Sequence, residues 1–120
     1  MHIECRQCAT KLSPELRTVP MSERNETMGA DLLSAGTVMQ EDGSYFQGRD
    51  GFYIVHPDDL LHVKLTTDST RLNGCCGLDG CDGPNLNCEA CGIYVATKMT
   101  DCWMAHCVVL EPNTTRLVPE

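Results

Sequence analysis

The chain has 120 residues, a length that suits one domain over 1–120 with a modest buried core. Hydrophobic residues make up 42%, which excludes wholesale disorder, but aromatic residues make up only 5%, so a metal or cross-links would help such a core. The net charge is −8, from 17 acidic and 9 basic residues without a basic cluster, which disfavours nucleic acid and anionic membranes as partners.

The first residues contain no basic stretch followed by an apolar run, so no signal peptide is expected. No segment approaches the ~20 apolar residues of a membrane helix. We therefore expect a cytoplasmic protein, in which clustered cysteines hold metal more often than disulfides. There are nine cysteines, an odd number, so they cannot all pair within the chain.

The first half of the chain predicts short strands and loops. Residues 1–4 form a strand, and residues 9–29 form a polar surface loop. Residues 30–40 fit a helix or a strand, and the turn residues at 41–44 favour a strand that ends in a hairpin. Residues 45–47 would then be the return strand.

The second half continues the β pattern. Residues 52–55 are rich in aromatic and β-branched side chains and give the clearest strand. Pro57 and the two acids after it predict a short helical turn within 57–62, capped by Asp58 and Asp59. Residues 68–87 are dense in turn residues. Further strands are expected over 63–67, 93–99, 105–110 and 115–118. The predicted fold class is mostly β.

Two cysteine pairs share one spacing, with two residues between the partners: Cys5, Cys8, Cys88 and Cys91. In such a turn the two sulfurs converge, and a small residue after the second cysteine lets the chain turn away. Gly92 and Ala9 occupy that place. Two turns of this kind facing each other make a structural zinc site with four protein ligands and no open position for catalysis. Iron in a rubredoxin-like site would use the same ligands.

Five more cysteines are Cys75, Cys76, Cys81, Cys102 and Cys107. With His106 they offer donors for a second metal or redox site, but no standard spacing joins them. Buried or spare thiols are the simpler interpretation. A redox role for Cys75 or Cys76 would require a low thiol pKa.

The two pairs, the long β-rich insertion between them and the strand after the second pair together resemble the β-tent zinc proteins. That group includes translationally controlled tumour protein-like folds, Yippee proteins, the thalidomide-binding domain of cereblon and methionine sulfoxide reductase B. The segment from Cys91 through Trp103 contributes to the resemblance, which implies antiparallel sheets joined by zinc. Residues 74–80 and 101–103 are also similar to small bacterial proteins, a likeness that implies no function.

The resemblance does not carry an activity with it. The Gly-Trp-Pro-Ser-Phe and Arg-Tyr-Cys-Ile-Asn segments of a methionine sulfoxide reductase B are absent. The cereblon pocket uses several tryptophans, whereas this chain has only Trp103, which is expected in the core.

The leading interpretation is therefore a non-catalytic binding module with one structural zinc ion, no catalytic residues, and a protein partner or a small ligand near Trp103. The alternatives are a thiol-dependent redox protein or enzyme using Cys75, Cys76 or Cys102, and a zinc ribbon that binds nucleic acid.

Overall fold

The computed structural model describes residues 1–119, and its architecture is mostly β, as predicted. The strands of this part of the chain are β1 His2–Cys5, β2 Arg17–Thr18, β3 Thr37–Gln40, β4 Tyr53–Val55, β5 Val63–Leu65, β6 Leu86–Cys88, β7 Tyr94–Met99, β8 Cys107–Leu110 and β9 Thr115–Val118. Short 3₁₀ turns occur at Met21–Glu23, Pro57–Asp59 and Ser69–Arg71. The predicted helical turn near residue 57 is therefore confirmed.

The strands form two sheets. Seven of them follow the order β2-β3-β4-β8-β7-β6-β5, and every pair in this sheet is antiparallel except β2 with β3, which is parallel. The remaining two strands, β1 and β9, form a separate antiparallel pair that brings His2 opposite Val118. Neither sheet closes on itself.

The central strands of the seven-stranded sheet are buried on both faces, whereas the edge strands β2 and β5 are largely exposed. Successive residues of β8 alternate between two apolar clusters, with Val108 in the first and Val109 in the second. The β1 residue Ile3 packs into the first cluster, and Leu32 packs into the second. The sheet therefore forms the middle layer, because β1 and its neighbours cover one face while the segment around residues 19–33 covers the other.

Two sequence-based expectations are wrong. Residues 9–29 are not simply a surface loop, because Leu12, Leu16 and Met21 are at most 5% exposed and form part of the core. Residues 45–47 are not the return strand, because β3 pairs with β4, placing Val38 opposite Val55.

Glu41 explains the longer connection between β3 and β4. Its side chain is almost fully buried and accepts hydrogen bonds from the backbone N–H groups of Asp42 and Phe46. Its backbone N–H donates to the Phe52 carbonyl at 2.8 Å. The loop is thus built around a buried carboxylate, which the pattern of turn residues does not reveal.

None of the helical segments within residues 1–119 is long or apolar enough to span a membrane.

Candidate metal centre

The four cysteines of the two equally spaced pairs converge in space. Their sulfur atoms all lie within 4.8 Å of one another, although 80 residues separate Cys8 from Cys88. The Sγ–Sγ distance is 3.7 Å between Cys5 and Cys91 and 3.6 Å between Cys8 and Cys88. Zinc–sulfur bonds of ~2.3 Å in a tetrahedron would place sulfurs roughly 3.8 Å apart, so this quartet fits a tetrahedral metal ion.

The two halves of the quartet are built alike. In each half, the first cysteine donates its backbone N–H to the residue five positions later: Cys5 to the Thr10 carbonyl at 2.9 Å, and Cys88 to the Ile93 carbonyl at 2.8 Å. The residue after each second cysteine has a left-handed backbone, with φ of 62° at Ala9 and 80° at Gly92. The small residues expected at these places therefore make the tight turn that each half requires.

The quartet joins the two sheets. Cys5 is the last residue of β1, in the two-stranded sheet, and Cys88 is the last residue of β6, in the seven-stranded sheet. Both are fully buried, Cys8 is exposed, and Cys91 is intermediate. A metal ion held by these four ligands would connect the two layers of the fold.

The local environment distributes protons unevenly over the quartet. The Thr10 hydroxyl, 3.0 Å from the Cys8 sulfur, and the Thr10 backbone lower the pKa of the Cys8 thiol to about 6. The Ile93 backbone N–H lowers the pKa of the Cys91 thiol, but burial and the neighbouring thiols outweigh this effect and raise it to about 12. A cation would stabilise the thiolate form throughout, because four adjacent thiolates otherwise repel one another.

A second group of cysteines lies on the surface. The sulfurs of Cys75, Cys76 and Cys102 also lie within 4.8 Å of one another, and all three residues are exposed. Cys76 and Cys102 are joined as a disulfide, with their Cα atoms 5.9 Å apart. The simpler interpretation of five spare thiols is therefore wrong for these two cysteines, while Cys75 remains a free thiol beside them.

Asp101 organises this second group. Its carboxylate accepts hydrogen bonds from four N–H groups at 2.8–3.0 Å: the backbone of Cys75, Cys76 and Cys102, and the indole of Trp103. The bonds from the Cys76 and Cys75 amides are the main reason that the pKa of Asp101 falls to about 2. Asp101 is thus a buried anion that ties the loop at 75–76 to the turn at 102–103.

The other thiols and His106 stay outside both groups. Cys107 is buried in the sheet, where burial raises the pKa of its thiol to about 12. Cys81 is exposed, and partial desolvation together with the Asp79 carboxylate raises the pKa of its thiol. His106 places Nε2 3.1 Å from the Asp101 carbonyl oxygen. Within residues 1–119, none of these three side chains joins a cluster of metal-binding donors.

Trp103 is not a core residue, contrary to the expectation for a lone tryptophan. It is 53% exposed and lines an open groove of about 570 Å³. The groove walls are aromatic, thioether and polar: Tyr45, Phe46, Gln47, Arg49, Asp79, Gly80, Cys81, Met99, Trp103, Met104 and Ala105. The second cysteine group borders this groove, because Cys102 directly precedes Trp103.

Sequence reasoning named a possible ligand site near Trp103 but missed the role of Asp101 and the exposure of the tryptophan. The Asp101-Cys102-Trp103 segment was visible, but the partners of Asp101 lie 25 and 26 residues earlier in the chain. The paired glycines around Cys75 and Cys76 were the available signal, since Gly-Cys-Cys-Gly predicts a tightly constrained loop.

Comparison with protein-family models, curated proteins and solved structures finds no match. The cysteine quartet is consistent with a zinc-ribbon-like motif and is able to hold a metal ion.

Proposed function

We propose that the chain is a non-catalytic binding module stabilised by one structural zinc ion. The observation that carries the proposal is the convergence of Cys5, Cys8, Cys88 and Cys91 from two matching turns. Four protein thiolates complete a tetrahedral shell, so the metal would connect the sheets without offering a position to substrate.

The partner we infer is a protein segment that places a lysine or arginine side chain in the groove beside Trp103. The Trp103 ring and the Asp79 carboxylate suit a cation, whereas Met99 and Met104 suit the methylene groups of a long side chain. Arg49, the one cation among the described residues of the groove wall, stacks over the Phe46 ring. The net charge of −8 would also attract a basic partner.

The zinc site is tested by metal analysis of the reduced 120-residue chain. We expect one zinc ion per chain, with loss of zinc and of the folded state when Cys88 is replaced by serine. The matched control is Cys81→Ser, which removes an exposed thiol outside the quartet and should leave zinc content unchanged. A Cys88→Ser variant that stays folded with zinc bound would overturn the assignment, and the absorption spectrum of ferric thiolate would identify iron instead.

The groove is tested with an immobilised peptide array. Each peptide that contains lysine or arginine is compared with a counterpart that has norleucine at the same positions. We expect Trp103→Ala to abolish binding of basic peptides while zinc content and circular dichroism stay unchanged. The control is Leu65→Ala, which removes an exposed apolar side chain outside the groove. Equal binding by both variants would overturn the partner proposal. Strong, salt-sensitive binding of DNA or RNA would support the nucleic-acid alternative instead.

A further inference from the structure

The loop that carries Cys75 and Cys76 is held against the end of β7 by its two glycines. A Cβ atom on Gly77 would lie 2.2 Å from the Thr100 carbonyl oxygen, and one on Gly74 would lie 1.7 Å from the Gly77 carbonyl oxygen. Both contacts are with backbone, which cannot swing aside as a flexible side chain can. The close packing therefore depends on glycine at both positions and fixes the loop beside Cys102.

The Asp101 carboxylate completes this arrangement by accepting the backbone N–H groups of all three cysteines. The Cys76 sulfur lies 3.3 Å from the same carboxylate, so a reduced Cys76 thiol can donate a hydrogen bond to Asp101. The loop and the turn are thus held together by contacts that do not depend on a bond between the sulfurs.

The donor set does not favour a second metal centre. The three cysteines are exposed, and no fourth side chain of the described residues joins their cluster. The carboxylate beside them, that of Asp101, already accepts four N–H groups. The nearby His106 ring nitrogen is directed at a backbone carbonyl. In contrast, the Cα separation of 5.9 Å between Cys76 and Cys102 lies in the range of protein disulfides.

Beyond the binding role, we propose that Cys75, Cys76 and Cys102 form a thiol–disulfide exchange site that reacts stoichiometrically with low-molecular-weight disulfides and thiols. In the oxidising direction, the Cys102 thiolate attacks one sulfur of a disulfide RSSR, forms a mixed disulfide and releases RS⁻. The Cys76 thiolate then attacks the Cys102 sulfur, forms the Cys76–Cys102 bond and releases the second RS⁻. Two electrons pass from the cysteines to RSSR, and the two thiol protons end on the two RSH products.

Cys75 is an alternative disulfide partner for Cys102. Its sulfur is within 4.8 Å of both partners, so the Cys75 thiolate can attack the Cys102 sulfur and release Cys76 as a thiolate. This exchange transfers the link from Cys76 to Cys75 without a change in the oxidation state of the protein. Cys102 takes part in either link, whereas Cys75 and Cys76 can replace each other.

The experiment incubates the zinc-loaded full chain in glutathione buffers of increasing disulfide content, followed by acid quenching, alkylation and mass spectrometry. The wild-type chain and Cys75→Ser should each lose two hydrogen atoms and contain a Cys76–Cys102 link. Cys76→Ser should form a Cys75–Cys102 link instead. Cys102→Ser should form no internal link and should accumulate a mixed disulfide with glutathione.

Cys81→Ser is the matched control, since it removes an exposed thiol outside the group and should behave as the wild type. Absence of an internal link from the wild type at every buffer ratio would overturn the proposal, as would its absence from Cys76→Ser. Uptake of a second zinc ion with protection of these three thiols would also overturn it, in favour of a metal site. Zinc content measured on the same samples tests the quartet separately, so the two proposals fail independently.

Discussion

At the scale of single residues, Asp101 shows how one carboxylate can organise two separate stretches of chain. Its four N–H donors include three backbone groups that would otherwise lack partners within their loops. Hydrogen bonds to a charged acceptor are stronger than neutral ones, and an unpaired buried carboxylate is costly. The residue therefore positions Cys75, Cys76 and Cys102 through their backbone N–H groups.

The first prediction concerns pH. The hydrogen bonds hold the pKa of Asp101 at about 2 in the folded state, below its ordinary value of 3.8. The stability that the anion contributes is therefore present above 3.8 and is lost as the pH falls from there through about 2. Because Trp103 is the sole tryptophan and donates to Asp101, its fluorescence should report this transition.

Asp101→Asn should show, already at neutral pH, the Trp103 fluorescence that the wild type shows once Asp101 is protonated. The reason is that an amide offers one acceptor oxygen and adds its own N–H donors. Asp58→Asn is the control, since the Asp58 side chain is 88% exposed. Zinc release followed in the same titration separates loss of the quartet from loss of the Asp101 contacts. A Trp103 transition that survives in Asp101→Asn would show that another group causes it.

A second prediction concerns Gly77. Replacement by alanine would place Cβ against the Thr100 carbonyl, so we expect a loss of about 1–3 kcal/mol in urea unfolding and a shifted Trp103 emission. Gly36→Ala is the control: Gly36 has open space around it but a φ of 84°, and it lies outside the groove, so the substitution should cost about 1–2 kcal/mol without changing that emission. Unchanged emission in Gly77→Ala would show that the loop accommodates a methyl group.

The sequence was sufficient to predict those residues whose role depends on their immediate neighbours in the chain. The spacing within each cysteine pair and the small residues Ala9 and Gly92 identified the quartet, since each turn is encoded in a few consecutive residues. The exposed position of Trp103 was missed, because the burial of a tryptophan depends on segments distant in the chain that pack around it.

At the scale of elements, the strands that could be predicted are those with a distinct composition. β4 and β7 carry aromatic and β-branched residues, and both were expected close to their observed bounds. The partner of β3 was missed because pairing depends on the buried Glu41, whose hydrogen bonds fold residues 41–51 into a loop instead of a tight turn. Composition predicts a strand better than it predicts the neighbour of that strand.

The third prediction tests the middle layer of the fold. Ile54 of β4 is fully buried and packs in the second apolar cluster, so Ile54→Ala should lower the free energy of unfolding by about 2–5 kcal/mol. Leu65 of β5 is 50% exposed, and its replacement by alanine should cost about 0.5 kcal/mol. Urea denaturation measures both, and equal losses would contradict the assigned layers.

At the scale of the whole molecule, the quartet lies between two sheets that otherwise meet through the first apolar cluster, where Ile3 packs with Val108. Structural zinc contributes roughly 10–16 kcal/mol in small metal-dependent domains, comparable with the roughly 5–15 kcal/mol of total stability typical of a domain. Removal of the proposed zinc ion should therefore unfold much of the chain.

The fourth prediction follows from this comparison. A strong chelator added under reducing conditions should abolish the β-sheet circular dichroism signal, and added zinc should restore it. Magnesium at the same concentration is the control, because it prefers oxygen ligands over thiolates. A metal-free chain that keeps its full sheet signal would show that packing alone maintains the fold.

The separation of the two halves of the quartet also has a kinetic consequence. Cys5 and Cys91 are 86 residues apart, and the ion pair between Glu4 and Arg116 across β1 and β9 spans 112 residues. Contacts between such distant segments slow folding, because closing a long loop costs chain entropy before the contact stabilises it. During synthesis, the Cys5 half must wait for residues 88–91 to leave the ribosome before the proposed metal ion could bind all four cysteines. Refolding should therefore be slow, and it should be most vulnerable to wrong disulfides in the interval before metal capture.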